Sequence, residues 1–240
     1  MSIKPMTYNL KYLFEQLPST NITDLEALLK QHWHLHGTER SIVSAHLAIE
    51  DSAVAHGSRW RRPRAGNRLK ALLSLQVQIE VLEIEQLVPP WPLLAAYVVD
   101  TAVVISPPRA KQAAALQRTP GSLQVCLFRL RSDMAKEDAL DYWRQEHAAI
   151  ACATQSTFGY RQHVITSTET NVGAKYDGLV EEYFPDAALT NAEIFFNSKN
   201  PQQLSEHIAQ LTASSSTFID MTSLLVNHLS EYRINLTPCH

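Results

Sequence analysis

The chain contains two weakly similar copies of one pattern, and this repetition constrains the fold more than any other feature of the sequence. The segment ALLKQHWHLHG at residues 27–37 aligns with ALDYWRQEHAA at residues 139–149, which pairs His36 with His147. Two further matches follow in the same order, SAHLAI with RQHVIT and YVVDTAVVISPP with TFIDMTSLLVNH. A repeat of this kind indicates one supersecondary unit that occurs twice and buries apolar surface against its copy.

Each half shows the same predicted order of elements: strand, helix, strand, strand, helix, strand. In the first half, Thr23 and Glu26 form a capping box for a helix that ends near His36, and the alternation in LKALLSLQVQIE indicates a half-buried strand. A Pro-Pro break precedes residues 91–98, which we expect to be a short helix, and residues 101–106, which we expect to be a strand. The remaining predictions are strands at 8–16, 41–49, 123–131, 160–166, 177–184 and 224–234, and helices at 136–153, 191–197 and 201–213.

This element order is that of the ferredoxin-like split βαβ unit, in which helices cover one face of an antiparallel sheet. The other face of the sheet must also be covered, and a second copy in the same chain can cover it. The sequence therefore predicts an α+β fold of two ferredoxin-like units, at residues 1–110 and 122–234, whose sheets face each other. An alanine-rich segment that ends in Pro-Gly, residues 111–121, is the predicted linker.

The segment at residues 140–165 carries the most specific motif of the chain. Leu140, Trp143, His147 and Ile150 lie three or four residues apart, so they share one face of a helix. The following strand contains YRQH. The segment resembles the EthD-type members of the dimeric α/β-barrel superfamily, whose signature is an aromatic residue, a histidine four residues later and a Tyr-x-Gln-Asn-like strand. The matching residues are Trp143, His147, Tyr160 and Gln162, with His163 where the family often has asparagine.

The resemblance implies an intrachain dimeric α/β barrel and an enzyme of catabolism or secondary metabolism that works without a metal or cofactor. His147 would be the general acid or base, because imidazole exchanges protons near neutral pH. Tyr160 would donate a hydrogen bond to a developing oxyanion, and His163 or His36 would be a secondary proton carrier. The alternative for His147 is purely structural: it bonds a backbone carbonyl and holds the helix against the sheet.

Strand alternation divides the polar residues of YRQHVI between two faces. Tyr160 and Gln162 share one face, and His163 shares the other with Arg161, so both sets cannot face one cavity without a bulge. The pattern alone does not say which face looks inward. Because a barrel made of two units combines side chains from both sheets, we expect a cavity-facing polar residue from each half. The predicted substrate-binding residues are Trp143, Gln162, His36 and His46.

Two other groups of residues invite functional interpretations. His32 and His36 are an i, i+4 pair that is compatible with a metal site, but histidines near a helix C-terminus also complement its dipole, and we expect no metal. The run WRRPRAGNR at residues 60–68 is the only strongly basic segment. It is expected to be a solvated loop, with an anion-gripping lid over the barrel mouth as the alternative.

Composition excludes several classes of protein. The net charge of −3 and the lack of a dominant basic face argue against a nucleic-acid binder. The three cysteines include no CxxC pair, which argues against a disulfide framework or a thiolate metal site. The N-terminus lacks a signal-peptide pattern and no run of about 18 apolar residues occurs, so a cytoplasmic protein without membrane contact is expected.

The favoured function is a cofactor-independent enzyme that acts by acid–base chemistry on a small, largely apolar carbonyl or aromatic-derived compound. A lyase, isomerase, cyclase or dehydratase reaction fits this chemistry. The alternatives are a non-catalytic small-molecule-binding accessory protein, an EthD-like oxidoreductase or monooxygenase, and a structural pseudo-dimer whose first half has lost its site. The expected partner is a small-molecule substrate, and a homodimer is possible.

Overall fold

The computed structural model describes residues 5–63, 65–80, 83, 86–107, 116–169 and 175–236. Its strands are β1 (Met6–Phe14), β2 (Ile42–Ile49), β3 (Ala71–Ile79), β4 (Leu93–Ile105), β5 (Ser122–Leu130), β6 (Gly159–Thr168), β7 (Gly178–Phe184) and β8 (Ile219–Arg233). They close into one barrel in the order β1-β3-β2-β8-β5-β7-β6-β4, and all neighbours are antiparallel.

The barrel consists of two four-stranded sheets with the same topology. The first sheet has the order β4-β1-β3-β2 and the second has the order β8-β5-β7-β6, which is the ferredoxin-like arrangement in both halves. Pairing of β2 with β8 and of β4 with β6 joins the sheets at both edges, so the two sheets that we expected to face each other form one continuous closed sheet. Closure satisfies the backbone groups that open edges would leave unpaired. The predicted α+β intrachain dimeric α/β barrel is confirmed.

The helices pack on the outer surface of the barrel. They are α1 (Ile22–His36), α2 (Lys136–Tyr142), a π turn (Trp143–His147), α3 (Ala148–Thr154), α4 (Ala192–Phe195) and α5 (Pro201–Phe218). On α1, Leu25, Leu29 and Trp33 are fully buried against the outer face of the first sheet. The N-cap of α1 is Asn21, whose side chain accepts a hydrogen bond from the Thr23 amide at 2.9 Å, so the predicted capping box lies two residues too late.

The two halves differ after their third strand. The predicted helix at residues 91–98 is wrong, because β4 begins at Leu93 and continues unbroken to Ile105. This long strand pairs with β1 on one side and β6 on the other, and Ala95, Tyr97 and Val99 contribute to the core inside the barrel. The requirement to close the barrel therefore overrides the local Pro-Pro signal. In the second half, α5 occupies the place that follows the third strand.

Some expectations from the sequence lie outside the structural description. Residues 111–115 of the predicted linker, together with Cys239 and Arg64, fall outside the described residues, and the domain boundaries stay a prediction. Cys126 and Cys152 are free thiols. Within the described ranges, no helix is long and apolar enough to cross a membrane, and no three metal-binding side chains cluster together.

Candidate active site

A cavity of about 130 Å³ lies between the outer face of the second sheet and the helices that cover it. Its walls are mainly apolar and aromatic, with a few titratable groups among them. The lining residues are Gln124, Cys126, Phe128, Trp143, His147, Gln155, Tyr160, Val180, Glu182, Leu211, Ser215, Phe218, Ile219, Met221, Leu224 and Val226. A mainly apolar cavity with few converging polar groups is the usual form of a small-molecule site. We call it the helix-side cavity.

The π turn between α2 and α3 supplies two of the lining side chains. Trp143 and His147 stand at its first and last positions, and both are buried. Trp143 packs edge-on against Phe128 with ring centroids 4.9 Å apart, and His147 packs against Phe218 at 5.0 Å. The helical face recognised in the sequence therefore does turn toward the sheet. Single π turns within helices are often found at functional sites.

His147 is held in one orientation by a short chain of hydroxyl groups. Its Nδ1 lies 2.9 Å from Ser214 Oγ, which in turn lies 3.2 Å from the Tyr142 hydroxyl. Since Nδ1 is engaged, Nε2 is the nitrogen that remains for a ligand. Burial lowers the pKa of His147 to about 4, so the imidazole is neutral at pH 7 and able to accept a proton.

Glu182 is the titratable group of this cavity that the sequence analysis missed. It lies on β7 with 6% of its surface exposed, and its Oε1 has no hydrogen-bond partner within the described residues. Burial raises the pKa of Glu182 to about 8, so the carboxyl group is protonated at pH 7. The sequence did carry a signal: two adjacent glutamates interrupt the otherwise apolar strand GLVEEYF, and such residues are almost never buried without a reason.

Tyr160 and Gln162 lie on the same face of β6 as the cavity. The Gln162 side-chain amide donates to the Tyr160 hydroxyl and to the Trp143 carbonyl, both at 3.0 Å. Burial raises the pKa of Tyr160, and the nearby Glu182 adds to this effect. Tyr160 is therefore a neutral phenol whose own proton remains available for donation.

The other face of β6 looks into the barrel lumen. His163 is buried there, with its Nδ1 2.9 Å from Thr101 Oγ1, and burial lowers its pKa to about 4. His46 lines the same lumen from β2. His36 lies on the exposed last turn of α1 and lines neither cavity.

The structure thus divides the proposed site residues among three places. Each half does supply a cavity-facing histidine to the lumen, namely His46 and His163. His147, however, lies on the other side of the sheet from both. Among the described residues, the lining of the helix-side cavity comes from the second half alone.

The arginine-rich segment packs the first half of the chain onto the second. Arg59 Nη1 donates to the Thr190 carbonyl at 2.6 Å, and Trp60 stacks on Phe195 with ring centroids 4.4 Å apart. Arg61 forms an ion pair with Glu50, and Arg68 forms one with Glu15. These contacts favour a packed connection over an anion-gripping lid.

Comparisons with known proteins agree with this architecture. Residues 131–222 match the family model described as EthD domain, and this range contains His147, Tyr160 and Glu182. The structure of an anthrone oxidase-like protein aligns with 99% of this chain and 97% of its own, at 9% identity and a TM-score of 0.53, which shows a shared fold. A Fusobacterium nucleatum protein described as a candidate monooxygenase aligns over 98% and 94% of the two chains at 9% identity, but its TM-score of 0.41 supports no conclusion. No curated protein sequence matches the chain.

Proposed function

We propose that this chain, whose residues 131–222 match the EthD domain model, is an enzyme that moves protons on a small ring-bearing carbonyl compound in the helix-side cavity. One observation carries the proposal: the cavity contains two titratable groups whose pKa values are displaced in opposite directions. Glu182 has a pKa of about 8 and His147 has a pKa of about 4. At neutral pH a proton donor and a proton acceptor therefore line the same cavity, which is the arrangement that acid–base catalysis requires.

The two groups have complementary roles in the proposed reaction. His147 Nε2 removes a proton from the carbon next to the substrate carbonyl, while the Ser214 contact holds the opposite ring nitrogen. Glu182 donates its proton to the carbonyl oxygen, and an enol forms. The Tyr160 hydroxyl donates a hydrogen bond to the same developing oxyanion. Return of the proton to another carbon gives an isomerase reaction, and loss of a neighbouring leaving group gives a lyase or dehydratase reaction.

The size and lining of the cavity limit the substrate. A dry cavity of about 150 Å³ in another protein binds one benzene ring, and this cavity has about 130 Å³. Phe128, Leu211 and Phe218 form apolar walls, whereas the polar groups converge from β6, β7 and the π turn. The volume of the cavity accordingly favours a single-ring ketone or hydroxyaromatic compound over a polycyclic one.

Oxidation by O2 is the second candidate. The same proton abstraction produces a carbanion, and its reaction with O2 converts a CH2 group into a carbonyl group with release of water. One protein of the same fold is described as anthrone oxidase-like, and the apolar walls suit an aromatic substrate. The two candidates share the first chemical step and differ in the fate of the carbanion.

Solvent deuterium exchange tests the shared step without knowledge of the product. The protein is incubated in D2O with a panel of single-ring enolisable ketones, and exchange of the C–H next to the carbonyl is followed by NMR. We expect exchange with the wild-type protein, and a rate lower by roughly 10²- to 10⁴-fold in Glu182→Gln. Glu206→Gln, which changes an exposed residue of α5, is the matched control and should keep the full rate.

Two readouts separate the candidates. Oxygen consumption with a substrate that exchanges would favour the oxidase, and an isomerised or eliminated product under anaerobic conditions would favour the lyase or isomerase. A ketone that binds in the cavity but exchanges its C–H no faster than in buffer would contradict the proposed enzymatic function. That result would favour an accessory binding protein.

A further inference from the structure

A second cavity, of about 140 Å³, lies on the inner face of the barrel and is distinct from the helix-side cavity. Both halves of the chain line it. The lining residues are Asn9, Lys11, Ser44, His46, Ser74, Leu75, Gln76, Thr101, Arg161 and His163. All but one are polar, so the cavity is a hydrated recess rather than a packing defect. We call it the lumen cavity.

The charges of the lumen cavity are arranged with the cations at its surface. Lys11 and Arg161 line it, and no carboxylate belongs to the described lining. Glu181 lies behind them with 1% of its side chain exposed, where it forms an ion pair with Lys11 and accepts from Arg161 Nη1 at 2.9 Å. A ligand that enters the cavity therefore meets the cations before the acid.

A third cation stands at the rim. Arg233 on β8 is exposed and is the direct cross-strand neighbour of His46, so both side chains leave the sheet on the same face. The second carboxylate nearby, Glu231, is occupied by hydrogen bonds from Tyr183 at 2.6 Å and Thr119 at 2.9 Å. Three cations against two carboxylates leave an excess of positive charge around the cavity.

Several hydrogen-bond donors of the lumen cavity are not used within the described residues. His46 Nδ1 is buried without a hydrogen-bond partner and lies 3.6 Å from Glu231, too far for a hydrogen bond. His163 Nε2 is buried and lies 3.2 Å from Glu181, so it already faces a carboxylate. Arg161 uses only Nη1, which leaves Nε and Nη2 for another acceptor.

We propose that the lumen cavity is a binding site for a small oxyanion, which the two halves hold jointly through His46, Arg161 and Arg233. Guanidinium groups with free N–H donors suit the oxygen pairs of carboxylate and phosphate. The volume corresponds to about four or five water molecules. It therefore admits inorganic phosphate or a short carboxylate such as pyruvate. Nothing in the proposed reaction of the helix-side cavity requires this anion.

Calorimetric titration of the full chain tests the proposal. The probes are acetate, pyruvate and inorganic phosphate, each at neutral pH and at constant ionic strength. We expect saturable one-to-one binding of at least one probe, and the tightest probe identifies the anion as carboxylate or phosphate. His46→Leu removes a donor of the cavity without touching the Lys11–Glu181 pair, and we expect it to weaken binding about tenfold or more.

Two further variants complete the test. Arg233→Gln changes an exposed residue at the rim, where the fold is not at risk, and should weaken binding about threefold. Arg68→Gln removes the same charge at a distant exposed ion pair and should bind within about twofold of wild type. The proposal is overturned if no probe binds saturably, or if His46→Leu and Arg68→Gln bind as tightly as each other.

Discussion

Glu181 and Glu182 are adjacent on β7 and are both buried, yet they have opposite charge states at neutral pH. Burial opposes the ionisation of Glu181, but Lys11, His163 and Arg161 surround it in the lumen and hold its pKa well below 4.5. Glu182 is buried without neighbouring cations among the described residues, and burial raises its pKa to about 8. The comparison shows that partners, rather than burial alone, decide the charge of a buried carboxyl group.

The two faces of the second sheet accordingly differ in what they can do. The lumen face holds a carboxylate that is paired with cations, and such groups suit the binding of a charged ligand and contribute to stability. The helix face holds isolated titratable groups among apolar walls, which suit proton transfer. Strand alternation places both environments on each of β6 and β7, one residue apart.

The largest expected effect concerns the helix face. His147→Ala should reduce the rate of deuterium exchange by roughly 10²- to 10⁴-fold while the fold stays intact, because the base is lost. The measurement is exchange rate and thermal midpoint on the same variant. An active protein with a stability loss of about 1–3 kcal/mol would make His147 a structural residue and remove the distinction between the two faces.

Glu181→Gln tests the lumen face. This variant leaves Lys11 and Arg161 buried without their carboxylate, so we expect the free energy of unfolding to fall by about 3–5 kcal/mol. Glu182→Gln is the matched control, since an amide resembles the protonated acid, and its stability at neutral pH should not fall. Urea unfolding of both variants decides the point, and equal losses would contradict the comparison.

The pH dependence of stability sharpens the same comparison. The folded-state pKa of Glu182 is about 8 and its ordinary value is 4.5, so the folded state retains a proton that the unfolded chain releases. The free energy of unfolding of the wild-type protein, taken relative to that of Glu182→Gln, should therefore fall as the pH rises from about 4.5 to about 8. Above about pH 8 the difference should stay constant. The pH dependence due to Glu181 has the opposite sign. Its contribution to the free energy of unfolding is present above about pH 4.5 and is lost as the pH falls through its lowered pKa. A Glu182→Gln difference that does not vary with pH would show that Glu182 is ionised.

The smallest expected effect is that of Tyr160→Phe. The Gln162 amide loses one acceptor but keeps its bond to the Trp143 carbonyl, so stability should fall by only about 0.5–1.5 kcal/mol. Exchange should slow by about tenfold, since Glu182 still protonates the oxygen. A rate equal to wild type would leave Tyr160 as a structural residue that orients Gln162.

The second half of the chain could be predicted better than the first. Its predicted elements all occur, with boundaries that differ by a few residues, because periodic segments such as α2 and β7 carry their pattern locally. In the first half, the helix predicted at residues 91–98 is part of β4. That strand exists in its full length because it pairs with β1 and β6, and the partner β6 is distant in sequence.

The candidate site could be predicted only in part. The sequence located Trp143, His147 and Tyr160, which line the helix-side cavity, and it separated His163 from Tyr160 by alternation. Gln162, which was predicted to bind substrate, does not line that cavity but donates hydrogen bonds to Tyr160 and Trp143. The sequence did not identify Glu182, and it grouped His36 with residues from which the fold keeps it apart. Alignment of the repeat did match His46 with His163, and both histidines line the lumen.

The sequence by itself determined the order of the elements in the second half, the two-copy architecture and the division of each strand into two faces, because propensity and periodicity are properties of neighbouring residues. Only the tertiary structure decided which face lines the lumen and which lies under the helices. It also decided the charge of the two glutamates: Glu181 is ionised because Lys11, 170 residues away in the chain, lies against it. Glu182 is neutral because it is buried where no cation of the described part of the chain offsets its burial. Such compensation depends on contacts between distant residues, which no local pattern records.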